Sequence, residues 1–102
     1  MLQLRPSCEH CDRDLPPSST HAMICSFECT FCEDCVHNVL DNVCPNCGGG
    51  FVPRPIRPVE NWRPGTSVAN HPPVAERRFR PVDLTAHAAL VAKVAGTPPA
   101  QR

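Results

Sequence analysis

The side chains with the clearest chemistry are eight cysteines, at positions 8, 11, 25, 29, 32, 35, 44 and 47 of a 102-residue chain. They form four pairs. Cys8/Cys11, Cys32/Cys35 and Cys44/Cys47 are Cys-x-x-Cys, whereas three residues separate Cys25 from Cys29. Two thiolates of one tight turn can reach the same ion, and two such turns complete a tetrahedron. Four pairs therefore supply two closed sites with no cysteine left over. Soft all-sulfur tetrahedra favour zinc, with mononuclear iron or an iron–sulfur cluster as alternatives. A closed site has no position for water or substrate, so the expected cofactors are two structural Zn2+ ions. Spacing leaves three ways to distribute four pairs over two ions. Only Thr30 and Phe31 separate the second pair from the third, which suits pairs that alternate between sites.

The elements that must hold these thiols are short of apolar residues. Leu15, Met23, Ile24, Phe27, Phe31, Val36, Val39, Leu40, Val43 and Phe51 are the candidate core. So small a stock does not offset the entropy of about fifty residues without a staple. Structural zinc contributes about 10 kcal/mol or more in small peptides. Val36, Val39, Leu40 and Val43 lie at i, i+3, i+4 and i+7, which predicts a short helix after Cys35. Pro16-Pro17 breaks the segment Asp12–Ser19 into a loop, and Gly48–Gly50 serves a final turn. His10, His21 and His37 are expected outside the two sites, because eight cysteines already fill two tetrahedra.

Composition changes just after Phe51-Val52. Nine of the thirteen prolines lie from Pro53 onward. Residues 1–50 carry two arginines against seven acids, a net of −5; residues 51–102 carry seven arginines and Lys93 against three acids, a net of +5. The predicted organisation is a double zinc-binding module at 1–52, an extended Pro/Arg-rich linker at 53–82, a short helix at 83–96 capped by Asp83, and a disordered end at 97–102. "MLQLRPSC" has no apolar signal region, and no apolar run approaches a membrane span. The expected location is therefore the cytoplasm, where dense cysteines bind metal more often than they form disulfides. Arginine outnumbers lysine nine to one, which points to a GC-rich bacterial coding sequence.

The order C-x2-C-x13-C-x3-C-x2-C-x2-C-x8-C-x2-C resembles the RING-finger cross-brace, with Cys29 where the usual pattern has histidine. Ile24 before the third ligand, Phe31 before the fifth, Val36 after the sixth and Pro45 inside "CPNC" extend the resemblance over about residues 5–52. It implies a small metal-stabilised α+β fold of RING-like or treble-clef type, with one short helix, a minimal β-hairpin and a largely irregular tail. It also implies interleaved ligation: Cys8, Cys11, Cys32 and Cys35 on one ion, Cys25, Cys29, Cys44 and Cys47 on the other. The RING ligase groove is not matched. Glu9 and His10 fill the first knuckle, Val36–Val43 has no tryptophan and Gly48 follows the last ligand; only Pro45 agrees. "CDRDLPPSS", "ICSFECTFC", "VCPNCGG" and "RPIRP" together resemble a bacterial cysteine-rich family known only as domain of unknown function 1272.

The expectation is a non-enzymatic zinc module that mediates protein interaction, because no nucleophile, open metal site or phosphate loop is present. Alternatives are a thiol-based redox or zinc sensor, a nucleic-acid-binding regulator acting through the arginine-rich tail, and, last, a RING-type ubiquitin ligase. Ile56 and Trp62, with Arg54, Arg57 and Arg63, are the candidate partner-binding residues. Trp62 is expected to dock, and the positive tail to associate with the negative module or an acidic partner.

Overall fold

The computed structural model describes all 102 residues. A hairpin of β1 (Ala22–Ile24) and β2 (Thr30–Cys32) leads directly into α1 (Glu33–Asn38). β3 (Val52–Pro53) pairs antiparallel with β1, giving the strand order β2-β1-β3. A second helix, α2 (Leu84–Val94), and a terminal 3-10 turn, Pro99–Gln101, follow an irregular segment. No helix is long and apolar enough to cross a membrane.

Hairpin register explains the odd cysteine spacing. Met23 faces Phe31 and Ile24 faces Thr30, so Cys25 and Cys29 face each other across the loop Ser26-Phe27-Glu28. The Cys25 N–H donates to the Cys29 carbonyl at 3.2 Å, and Glu28 takes φ +65°. A three-residue hairpin loop that ends in a left-handed residue is a favoured connection. The pair is set by a β-turn geometry rather than by a knuckle.

The helix expected after Cys35 begins before it, at Glu33, and ends at Asn38, short of what the apolar spacing suggests. Asp41 and Asn42 both have positive φ (53° and 54°), which turns the chain back after Leu40. The Asn42 carbonyl oxygen Oδ1 accepts from the Phe51 N–H at 2.9 Å and secures that turn. Val43 is buried through the reversal instead of through the helix face. Phe31 and Phe51 meet edge to face with centroids 5.5 Å apart. Six of the twelve residues in the central core cluster are cysteines, so the core depends on its sulfur atoms. Leu4 joins the buried set, whereas Phe27, expected inside, is 71% exposed at the hairpin tip.

The module does not end at residue 52. Arg54 is 4% exposed. Its Nη1 donates to the Arg5 carbonyl at 2.8 Å, and its Nη2 to the Leu15 and Pro16 carbonyls at 3.1 and 3.0 Å. Its backbone N–H donates to Ala22. Arg57 likewise clasps the Leu2 and His71 carbonyls, both at 2.7 Å.

The tail then wraps the module. Arg77 bridges Asp12 and Asp14, at 3.1 and 2.6 Å. The Val82 N–H donates to His10 Nδ1 at 2.9 Å. α2 is capped by Asp83, whose carboxylate accepts from the Thr85 and Ala86 N–H groups. One of its residues, His87, is buried and holds the Leu40 carbonyl through Nε2 at 2.8 Å. Residues 97–102, expected to be disordered, are instead tied down: Arg102 donates to the Asn42 carbonyl at 2.8 Å and to the Gly48 carbonyl at 3.3 Å.

Candidate metal centre

The first and last Cys-x-x-Cys turns have the same backbone pattern. The Cys8 N–H donates to the Arg13 carbonyl, and the Asp12 N–H donates back to Cys8. The Cys44 N–H donates to the Gly49 carbonyl, and the Gly48 N–H donates back to Cys44. In both turns the residue after the second cysteine is left-handed: Asp12 at φ +64° and Gly48 at φ +76°. Asp is among the few non-glycine residues that enter this region at modest cost, and Gly enters it freely. Each turn thus presents two thiols from a short, closed loop.

The third Cys-x-x-Cys pair is built differently. Cys32 ends β2 and is the N-cap position of α1, whose first turn carries Cys35. Together with the first knuckle this pair forms one set: the sulfur atoms of Cys8, Cys11, Cys32 and Cys35 all lie within 4.8 Å of one another. Cys11 and Cys32 are 3.7 Å apart. The first set is buried except at Cys11.

The second set comprises Cys25 from the hairpin with Cys44 and Cys47 from the last knuckle, again within 4.8 Å of one another. Cys29 is buried but is not in that set. Its Sγ instead accepts a hydrogen bond from Asn46 Nδ2 at 3.4 Å, from inside the last knuckle. The clusters therefore hold four and three thiols, and both can hold a metal ion. Cys29, the expected fourth ligand, sits beside this set, its thiol facing the Cys25 side chain and Asn46.

The electrostatics are those of thiols gathered away from water. Burial pushes the Cys35 and Cys44 thiols strongly upward, and also raises Cys29 and Cys11. Cys32 is the exception. Burial raises it too, but hydrogen bonds from the Cys35 backbone and from the Cys35, Cys11 and Cys8 thiols outweigh burial and lower its pKa. Packing several thiolates together is unfavourable unless a cation compensates them. Donor type, number and spacing all fit a divalent soft ion.

No histidine joins either set. His10 accepts from Val82, and His21 Nδ1 lies 2.6 Å from Glu33 Oε1. Glu9, in the first knuckle, is 3% exposed. Its carboxylate accepts from Arg5 at 3.0 Å and from the Thr30 N–H at 2.6 Å. Glu9 and Pro45 line a partly open cleft of about 340 Å³, shared with Arg80, Val82, His87 and Leu90 of the tail.

The candidate partner-binding residues separate into two groups. Arg54 and Arg57 are consumed within the chain by backbone carbonyls. Ile56 and Trp62 were expected to dock, but they stand 51% and 79% exposed. Arg63 is also exposed. Asn61 explains the display of Trp62: its Oδ1 accepts from the Thr66 and Ser67 N–H groups at 3.0 and 2.8 Å, fixing a loop with the indole outward. His87, Asn46 and Asn61 went unnoticed in sequence, because lone polar residues in loops and helices carry no periodic signal.

A family model described as "Protein of unknown function (DUF1272)" matches residues 1–57. An uncharacterized protein of Rhizobium meliloti is 66% identical over 58 residues, covering 57% of this chain and 69% of that protein. No solved structure matches.

Proposed function

The chain belongs to the DUF1272 family, whose function is unknown, and we propose that it is a non-enzymatic protein-interaction module held together by two zinc ions. The observation that carries the zinc reading is the convergence of Cys8/Cys11 with Cys32/Cys35 across twenty intervening residues, to within 4.8 Å. Such sulfur packing in a core that is half cysteine has an evident purpose when a cation binds it. One ion is assigned to Cys8, Cys11, Cys32 and Cys35. The other is assigned to Cys25, Cys44 and Cys47, with Cys29 as the remaining thiol of that site. The two sites are thereby interleaved along the chain, in the cross-brace manner of a RING-like or treble-clef module.

The proposed contact surface is the loop carrying Trp62 and Arg63, with Ile56 beside it in sequence. A rigid loop that exposes an indole lowers the ordering cost of binding. Tryptophan and arginine are enriched among residues that dominate protein interfaces. A ligase reading is disfavoured by Glu9, whose carboxylate is buried against Arg5 and the Thr30 N–H where the ligase groove has an apolar side chain.

Elemental analysis of the full chain, purified without added metal, tests the zinc reading. Two zinc ions per chain are expected, and chelation is expected to abolish the cooperative unfolding transition of the first half. One ion, none, or a dominant iron content refutes it. Affinity capture with wild-type and Trp62→Ala protein tests the contact surface: a partner retained equally by both rejects it.

A further inference from the structure

We infer that the contact surface around Trp62 takes an acidic peptide segment, anchored by one large apolar side chain in the cleft beside Ile56. The inference rests on the contact-surface reading above and deepens it by naming the partner's chemistry. A cleft of about 370 Å³ lies between Leu2 and Leu4 of the N-terminal segment and the strip Pro55-Ile56-Arg57. Leu4 is fully buried, whereas Ile56 in the same cleft is half exposed. Thr66 also lines the cleft, and its N–H is held by Asn61, so the cleft runs into the loop that displays Trp62. The Val68 N–H donates to the Pro58 carbonyl at 2.8 Å and fixes the far side of that loop. The volume is at the small end for ligand pockets, which suits one anchoring side chain better than a cofactor.

Charge selects the occupant. Arg57 lines the cleft, and its guanidinium is held by the Leu2 and His71 carbonyls through Nη2 and Nη1. Neither bond uses Nε, so a donor remains. Arg54, whose charge acts on Arg57 as a like neighbour, is likewise held by carbonyls alone. Carbonyl dipoles orient a guanidinium without cancelling its charge. The carboxylates that form ion pairs in this chain take Arg5, Arg13, His21 and Arg77 instead. Arg63 is exposed and also lacks a carboxylate; the Thr66 hydroxyl donates to its carbonyl at 2.7 Å, which ties it to the edge of the cleft. Glu60 is the one acid in the strip 54–63, and it pairs with none of these arginines. An apolar cleft bordered by uncompensated cations is complementary to an apolar side chain flanked by carboxylates. Nucleic acid fits less well. A phosphate backbone is held by several free cations, whereas two of these three guanidinium groups are tied to fixed carbonyls and much of the cleft wall is apolar.

The test is selection of displayed random heptapeptides on the full chain, followed by fluorescence anisotropy of the selected peptide. Sequences with one large apolar residue beside Asp or Glu are expected to dominate. Replacing the acids by their amides should weaken binding about tenfold, the equivalent of one charge-assisted hydrogen bond. Replacing the apolar anchor by alanine should weaken it by about tenfold or more. Ile56→Asp places a carboxylate in the cleft wall and should abolish binding, and Arg63→Gln should weaken it severalfold. Both side chains are exposed, so both variants should keep the circular dichroism and metal content of the wild type. Selection of basic or uncharged sequences, selection of nothing, or equal selection on Ile56→Asp overturns the inference. A single-stranded oligonucleotide that competes with the selected peptide and binds Ile56→Asp as well as wild type also overturns it. Binding that is lost in Trp62→Ala but indifferent to Ile56→Asp and Arg63→Gln rejects the acidic occupant and keeps the contact surface. Binding indifferent to all three substitutions rejects both.

Discussion

Arg54→Ala should be among the most damaging substitutions outside the cysteines. The guanidinium is buried, yet its contacts are three carbonyls and no carboxylate. Burial, then the neighbouring charge of Arg57, lowers its pKa, so the site holds the cation at some expense. Truncation orphans the carbonyls of Arg5, Leu15 and Pro16. A buried acceptor without a partner costs about 1–3 kcal/mol. The Leu15 carbonyl bears the full cost, since its bond is the buried one; water recovers part of the other two. Relief from burying a charge offsets some of this, leaving a net loss of about 2–4 kcal/mol. The assay is urea unfolding followed by far-ultraviolet circular dichroism at fixed free zinc, because bound ligand adds stability by mass action. With a slope of about 1–2 kcal/mol per molar urea, a loss of this size moves the midpoint by about 1–4 M. Arg54→Met separates the causes: it restores much of the volume without donors and should remain nearly as unstable as the alanine variant. A loss below about 0.5 kcal/mol for alanine, or rescue by methionine, refutes the carbonyl clasp.

Three further outcomes are expected. Asp83→Ala removes the cap of α2 and should cost about 1 kcal/mol, seen as lost helical dichroism with the zinc content unchanged. Gly50→Ala places a Cβ 2.7 Å from Pro99 Cγ; the terminal turn should undock, raising amide exchange at residues 99–102 while the thiol clusters persist. Trp62 should emit like an indole in water, and Ile56→Asp should leave its spectrum unchanged; a blue-shifted emission from the isolated chain contradicts the exposed loop.

Cysteine clustering was legible because paired thiols announce themselves at short range. The hairpin and a short helix near Cys35 were legible for a similar reason: few other elements fit between the ligands; the helix start at Glu33, ahead of Cys35, was not. The end of α1 was not. Val36, Val39, Leu40 and Val43 keep helical spacing, while Asp41 and Asn42 bend the backbone through positive φ, and their identities permit this turn without requiring it. The tail was read through its charges, and Arg77 does meet Asp12 and Asp14. Most of its hold comes instead from arginines and a histidine bonded to backbone carbonyls. Carbonyls are present at every residue, so sequence gives no sign of which will be used. Trp62 shows the reverse problem: hydrophobicity suggested docking, whereas the two bonds accepted by Asn61 decide the display.

The order in which the sulfurs leave the ribosome sets a race. The first native set is complete only when Cys35 emerges, but a wrong set of Cys8, Cys11, Cys25 and Cys29 is complete six residues sooner. At about 5–20 residues per second, the chain spends about a second or less in that state. The compact tract from Cys25 to Cys35 keeps this interval brief, so the native competitor arrives before a mistaken closure has long to settle. A synonymous pause placed after codon 29 would lengthen the wait without altering one atom of the finished protein.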